Sequence, residues 1–143
     1  MKKKKVVLDT NVLISGIIFG GIPGKSLRKA LREYQICVSS HILAEYREVP
    51  LVLKRKGKIT EEQLNALILG IASFVSRAEI FFPKENLNIC PHREDNILLE
   101  CCLEANAHFL ITGDKDLLQI PEDRIKKELP WLKIISPSEF IIL

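Results

Sequence analysis

Two short apolar runs, Val6-Val7-Leu8 and Phe109-Leu110-Ile111, are each followed by acid: Asp9-Thr10-Asn11 after the first and Thr112-Gly113-Asp114-Lys115-Asp116 after the second. Continuous apolar runs this short read as strands covered on both faces, the habit of a parallel sheet. In an open parallel sheet the carboxyl ends of the strands border the crevice where ligands bind, so two acidic strand ends can converge there. Two unit charges ~4 Å apart repel by roughly 4 kcal/mol at the effective dielectric of a protein surface. Protons, Lys or Arg, or a divalent cation must therefore neutralise such a cluster.

The rest of the chain alternates in a way that supports a parallel sheet. Lys5 to Leu8 is expected as the first strand, and Val12 to Phe19 as a turn or two of helix broken by Gly20-Gly21-Ile22-Pro23-Gly24. Lys25 to Tyr34 carries Leu27, Ala30, Leu31 and Tyr34 at helical spacing, and Gln35 to Ser39 follows as a strand. Ser40 can cap a helix to about Arg55, which Pro50 should kink or split. Thr60-Glu61-Glu62-Gln63 is a capping box opening a helix to about Arg77. Glu79 to Phe82 reads as a third strand. Asp95 to Ala107 reads as an amphipathic helix with Leu98, Cys101, Cys102 and Ala105 inward and Asn96, Glu100 and Glu104 outward. His108 to Thr112 and Lys133 to Ile135 supply a fourth and a fifth strand. The expected fold is α/β, a three-layer sandwich around a central, mainly parallel four- to five-stranded sheet.

At 143 residues the chain is expected to form one domain, 1–143, burying roughly two thirds of its unfolded surface. Cys37, Cys90, Cys101 and Cys102 contain no Cys-x-x-Cys pair, which fits a reducing cytoplasm. Lys2 to Lys5 followed by apolar residues superficially mimics a signal peptide, but Asp9 and Asn11 interrupt the apolar stretch, and no membrane span is expected. A net charge of +3 permits a nucleic-acid partner without demanding one. Basic groups cluster at Lys2 to Lys5, at Lys25, Arg28, Lys29 and Arg32, and at Lys54, Arg55, Lys56 and Lys58, where solvated surface and phosphate contact are equally good explanations. The apolar end, Phe140 to Leu143, suits either an interface or a packed terminal element.

Two further acids can join Asp9, Asp114 and Asp116. Glu45 lies three residues after Ile42 and four before Val49, at the flank of its helix's buried face, and Asp95 shares a stripe with Leu98 and Cys102. Each acid has an ordinary explanation: Asp95 and Asp9 as helix caps, Asp114 and Asp116 as turn residues, Glu45 as a surface partner of Arg47 or His41. The conjunction outweighs these, because separate segments place acid at one edge of one sheet. Oxygen-only ligands select Mg²⁺ or Mn²⁺, which polarise phosphoryl oxygens and acidify water, so phosphodiester hydrolysis is the natural reaction class.

Val7-Leu8-Asp9-Thr10-Asn11-Val12-Leu13-Ile14-Ser15, the Glu45 helix, Asp95-Asn96-Ile97-Leu98-Leu99-Glu100, and Ile111-Thr112-Gly113-Asp114-Lys115-Asp116-Leu117-Leu118 resemble the PIN-domain ribonucleases, in the same order and over nearly the whole chain. The resemblance is closest to the VapC-type toxins of toxin-antitoxin pairs. It implies a Mg²⁺- or Mn²⁺-dependent endoribonuclease that hydrolyses single-stranded RNA to 5′-phosphate and 3′-hydroxyl ends, often as a homodimer and with an antitoxin protein as partner. It also implies that Asp9, Glu45, Asp95 and Asp114 form the catalytic quartet, with Asp9, Asp95 and Asp114 as metal ligands. Asp116 is then expected near the quartet, and Asn11 and Thr112 as polar support. Cys90-Pro91-His92-Arg93-Glu94 departs from the acidic approach common in the family, with His92 where an Asp is usual; His92 is expected as an exposed loop residue.

Three other readings compete. A haloacid-dehalogenase-type phosphoryl transferase needs a second Asp two residues after the first, and Asn11 stands there. A PIN-like module that binds RNA or an antitoxin without cutting remains the main alternative, since spacing does not prove turnover. A zinc site from Cys90, His92, Cys101 and Cys102 has poor ligand spacing.

Overall fold

The structure, a computed structural model, describes residues 2–143. Five strands, β1 (Lys5–Leu8), β2 (Gln35–Ser39), β3 (Ala78–Phe81), β4 (Phe109–Ile111) and β5 (Lys133–Ile135), form one sheet in the order β3-β2-β1-β4-β5, with every pairing parallel. The helices that flank it are α1 (Thr10–Ile18), α2 (Gly21–Glu33), α3 (Ser40–Arg55), α4 (Glu61–Val75), α5 (Arg93–Ala105), α6 (Lys115–Leu118), α7 (Glu122–Glu128) and α8 (Pro137–Phe140). Central β1 is sealed: Val6, Val7 and Leu8 have no solvent exposure, as expected of a strand covered on both faces.

Register decides where the acids emerge. Leu8 lies opposite Ile111, so β1 and β4 end level; the Asp9 amide then donates to the Ile111 carbonyl (2.9 Å) and the Thr112 amide to that of Ile135 (3.0 Å). Asp9 and Thr112 leave the sheet side by side.

Several elements differ from the sequence-based expectation. The α2 helix begins at Gly21, because Gly20 and Gly21 take left-handed φ angles of 69° and 58° that turn the chain, while Pro23 sits in the first helical turn, where no intrahelical amide is required. Ser39 is the cap of α3, its hydroxyl accepting from the Ile42 amide (3.1 Å). Pro50 does not split α3; Ile42, Tyr46 and Pro50, at i, i+4 and i+8, form its buried stripe, and burial of that stripe outweighs the missing hydrogen bond. The capping box at Thr60 is present in full. Phe140 packs as a terminal element, against the rings of Tyr34 and Phe109. Lys29 leaves its basic cluster, buried with its ammonium on the Leu143 carbonyl (2.6 Å).

The main correction concerns α5. Asn96 and Glu100, expected to face solvent, are 3% and 2% exposed. Residues 82–92 run without regular structure over that side of the helix, and these side chains satisfy the segment's backbone. The Asn96 carbonyl accepts from the amides of Ile89 (3.0 Å) and Cys90 (2.9 Å), and its amide group donates to the carbonyls of Cys90 (2.8 Å) and His92 (3.2 Å). Glu100 accepts from the Leu87 amide and, at both oxygens, from the Arg93 guanidinium. Glu104, half-buried, accepts from the Lys84 amide.

Candidate functional site

Asp9 and Asp114 are N-caps, which fixes both carboxylates at strand ends. Asp9 caps α1, accepting from the Asn11 amide (3.3 Å), and its other oxygen accepts from the Thr112 hydroxyl (2.7 Å). That hydroxyl also accepts from the Asp114 amide (3.0 Å), so Thr112 ties the two strand ends together. Asp114 caps α6 by accepting from the Asp116 amide (2.8 Å). From the neighbouring helices, the Thr10 hydroxyl donates to one oxygen of Glu45 (2.9 Å), and Asp95 points inward from the first turn of α5.

The structure brings Asp9, Glu45, Asp95 and Asp114 to the wall of one cleft of about 310 Å³, together with Asn11. Two of its acids, Asp95 and Asp114, group with exposed Asp116, which does not line the cleft, each offering an oxygen within 4.8 Å of the others. Asp116, two residues after Asp114 in the first turn of α6, thus lies near the quartet at its exposed edge. Asp9 borders the same cleft while held by Thr112 and Asn11. His92 is exposed, as expected, but it lines the cleft and lies 3.5 Å from Asp116. Glu94, which sequence reasoning passed over, also lines it. The first-turn position of Glu94 on the Asp95 helix was the available signal.

Electrostatics at the cleft are unfavourable for the bare protein. Burial raises the pKa of Asp9, opposed by its Thr112 and Asn11 hydrogen bonds and reinforced by Asp114. Glu45 is raised by burial, against the pull of its Thr10 hydrogen bond. Asp95 is pushed up to about 7, first by burial, then by the hydrogen bond and repulsion from Asp114 and by repulsion from Asp9. Among the described residues, no ion pair involves Asp9, Glu45, Asp95 or Asp114. One Asp95 oxygen is buried with no hydrogen-bond partner.

These features fit a hard divalent cation. The donors are carboxylate oxygens alone, three of them within ligating reach of one point, and the orphaned Asp95 oxygen lacks only an electropositive partner. Among the described residues no cysteine joins that group: Cys101 and Cys102 are fully buried in the hydrophobic core, and Cys90, near enough to feel the charge of Asp95 and Asp114, is a buried thiol whose pKa is raised, first by burial.

Residues 5–116, a span holding all of these acids, match the model of the PIN domain family. The chain is also similar to an uncharacterized protein of Methanocaldococcus jannaschii, 36% identical over 143 residues, covering 97% of this chain and 90% of that protein. Among solved structures, the fold is similar to a chain of VapBC2 from Rickettsia felis bound to a DNA fragment from their promoter, with a TM-score of 0.58 and 18% identity, covering 92% of this chain and 98% of that one.

Proposed function

This chain belongs to the PIN domain family, and we propose that it is a Mg²⁺- or Mn²⁺-dependent endoribonuclease that cuts single-stranded RNA as the toxin of a toxin-antitoxin pair. The observation that carries this reading is the buried Asp95 oxygen, without a hydrogen-bond partner and clustered with Asp114 and Asp116. Asp95, Asp114 and Asp116, with Asp9 beside them, would hold the cation. A cation bound there supplies charge neutralisation, polarisation of a phosphoryl oxygen and acidification of water.

The protein's own groups do the rest. Thr112 holds Asp9 and the Asp114 backbone in fixed relation, so the ligand geometry is set before substrate arrives. Glu45 keeps one oxygen on Thr10 and has the other free to take a proton from the attacking water; its raised pKa brings it nearer to the working pH of a general base. The water oxygen forms the new bond to phosphorus as the bond from phosphorus to the 3′ oxygen breaks, and the leaving oxygen takes a proton from solvent while Glu45 returns its own to solvent, giving 5′-phosphate and 3′-hydroxyl ends.

An apolar groove between α3 and α4, with Leu51 and Ile68 about half exposed, supports a protein partner, either the antitoxin or a second copy. Among the described residues no helix is long and apolar enough to cross a membrane, in keeping with action in the cytoplasm.

The test is cleavage of an unstructured RNA with and without Mn²⁺. Cleavage is expected only with the metal and is expected to fall at least about 100-fold in Asp9→Asn, the scale of losing one charge-stabilising group. RNA binding without any metal-dependent cleavage would instead leave a non-catalytic module.

A further inference from the structure

A second cleft, of about 370 Å³, also borders the carboxylates. It shares Asp9, Asn11 and Asp114 with the first, so the two meet at the acids. Their outer walls differ in kind. The first cleft continues to Glu45 and Glu94, which repel a polyanion, whereas the second continues to Val12, Ser15, Pro23, Gly113 and Pro137, none of them charged. We propose that this second cleft is the subsite for an unstacked nucleobase adjoining the scissile phosphate of single-stranded RNA, an inference that rests on the nuclease reading above.

Three observations point to a base. The first is shape and polarity: Val12, Pro23 and Pro137 offer apolar surface, and the volume falls within the about 300 to 1,000 Å³ of small-ligand sites. Proteins that hold an extruded base pack it against aromatic or apolar side chains, and this cleft supplies the apolar kind. The second is the pair Asn11 and Ser15, one turn apart on α1. Among the described residues neither side chain makes a hydrogen bond, so both can meet the polar edge of a base. The third is Gly113. A Cβ there would meet nothing within 4 Å, and its φ is not left-handed, so the backbone does not require glycine. What the missing side chain does is keep the cleft open beside Asp114. Beyond Pro23, α2 exposes Lys25 and Arg28, which suit the next phosphate along the strand.

The experiment plugs the cleft from two different elements, with Gly113→Leu in the loop after β4 and Ser15→Phe on α1, in the full chain. Binding of a short phosphorothioate-substituted single-stranded RNA is measured in Mn²⁺, alongside Mn²⁺ affinity and melting temperature. Each plug is expected to weaken RNA binding by about 10-fold or more, the worth of one stacked base, while Mn²⁺ affinity stays within about 2-fold. If one plug unfolds the protein, the other decides. RNA binding equal to that of the parent protein in a folded, Mn²⁺-binding plug would overturn the subsite alone. Failure of the parent protein with Mn²⁺ to bind RNA would overturn the nuclease reading and the subsite with it.

Discussion

Asp95 is where burial and like charge press hardest on one side chain. Its pKa is raised to about 7, while an unfolded aspartate titrates near ~3.9, so folding favours its protonated form. The sign follows: this contribution to stability is fully present below pH ~4 and is lost as pH rises through about 7. The metal-free protein should therefore melt at progressively lower temperature between pH 5 and pH 8, on the order of several degrees, as followed by circular dichroism. Asp95→Asn should flatten that dependence and raise the metal-free melting temperature at pH 8; a steeper fall would contradict the assignment. Asp9, Glu45, Asp95 and Asp114 were legible as a converging set because each follows a strand or flanks a buried helical stripe. The grouping of Asp116 with Asp95 and Asp114 was not, because it depends on the tight turn of α6, which four residues of sequence do not announce.

At the scale of elements, the strands and the starts of long helices were written locally, in apolar runs and capping boxes. The faces of α5 were not. Asn96 and Glu100 are polar at positions that look outward by periodicity, yet they are buried because a segment more than ten residues long lies over them; no periodic signal marks such a cover. Replacing Asn96 by Ala removes the partner of three backbone groups at once, the amides of Ile89 and Cys90 and the carbonyl of Cys90, while the His92 carbonyl keeps the Asn96 main-chain amide. The expected cost is roughly 2 to 4 kcal/mol by chemical denaturation, with faster hydrogen exchange at the amides of Ile89 and Cys90. Thr60→Ala, at an exposed cap, should cost only about 1 kcal/mol. Equal costs for the two would mean that the segment is not pinned as described. Pro50 makes the complementary point: local sequence argues for a break, and packing of the Ile42, Tyr46 and Pro50 stripe overrides it.

Over the whole molecule, one topological fact organises the site. The order β3-β2-β1-β4-β5 puts β1 beside β4, two segments about a hundred residues apart, and level register delivers both acidic strand ends to one edge. Helices α3 and α5, which contact each other and the sheet, bring Glu45 and Asp95 to the same place. The fold thus holds repelling carboxylates together at the expense of metal-free stability, a repulsion that the proposed cation would offset by its own attraction to them. The most direct measurement is a calorimetric titration of the metal-free protein with Mn²⁺ at pH 7.5, repeated on Asp95→Asn. The account predicts saturable binding to the parent protein with proton release, weakened at least about 10-fold by the substitution. Absence of Mn²⁺ binding, or binding indifferent to Asp95→Asn, would contradict it.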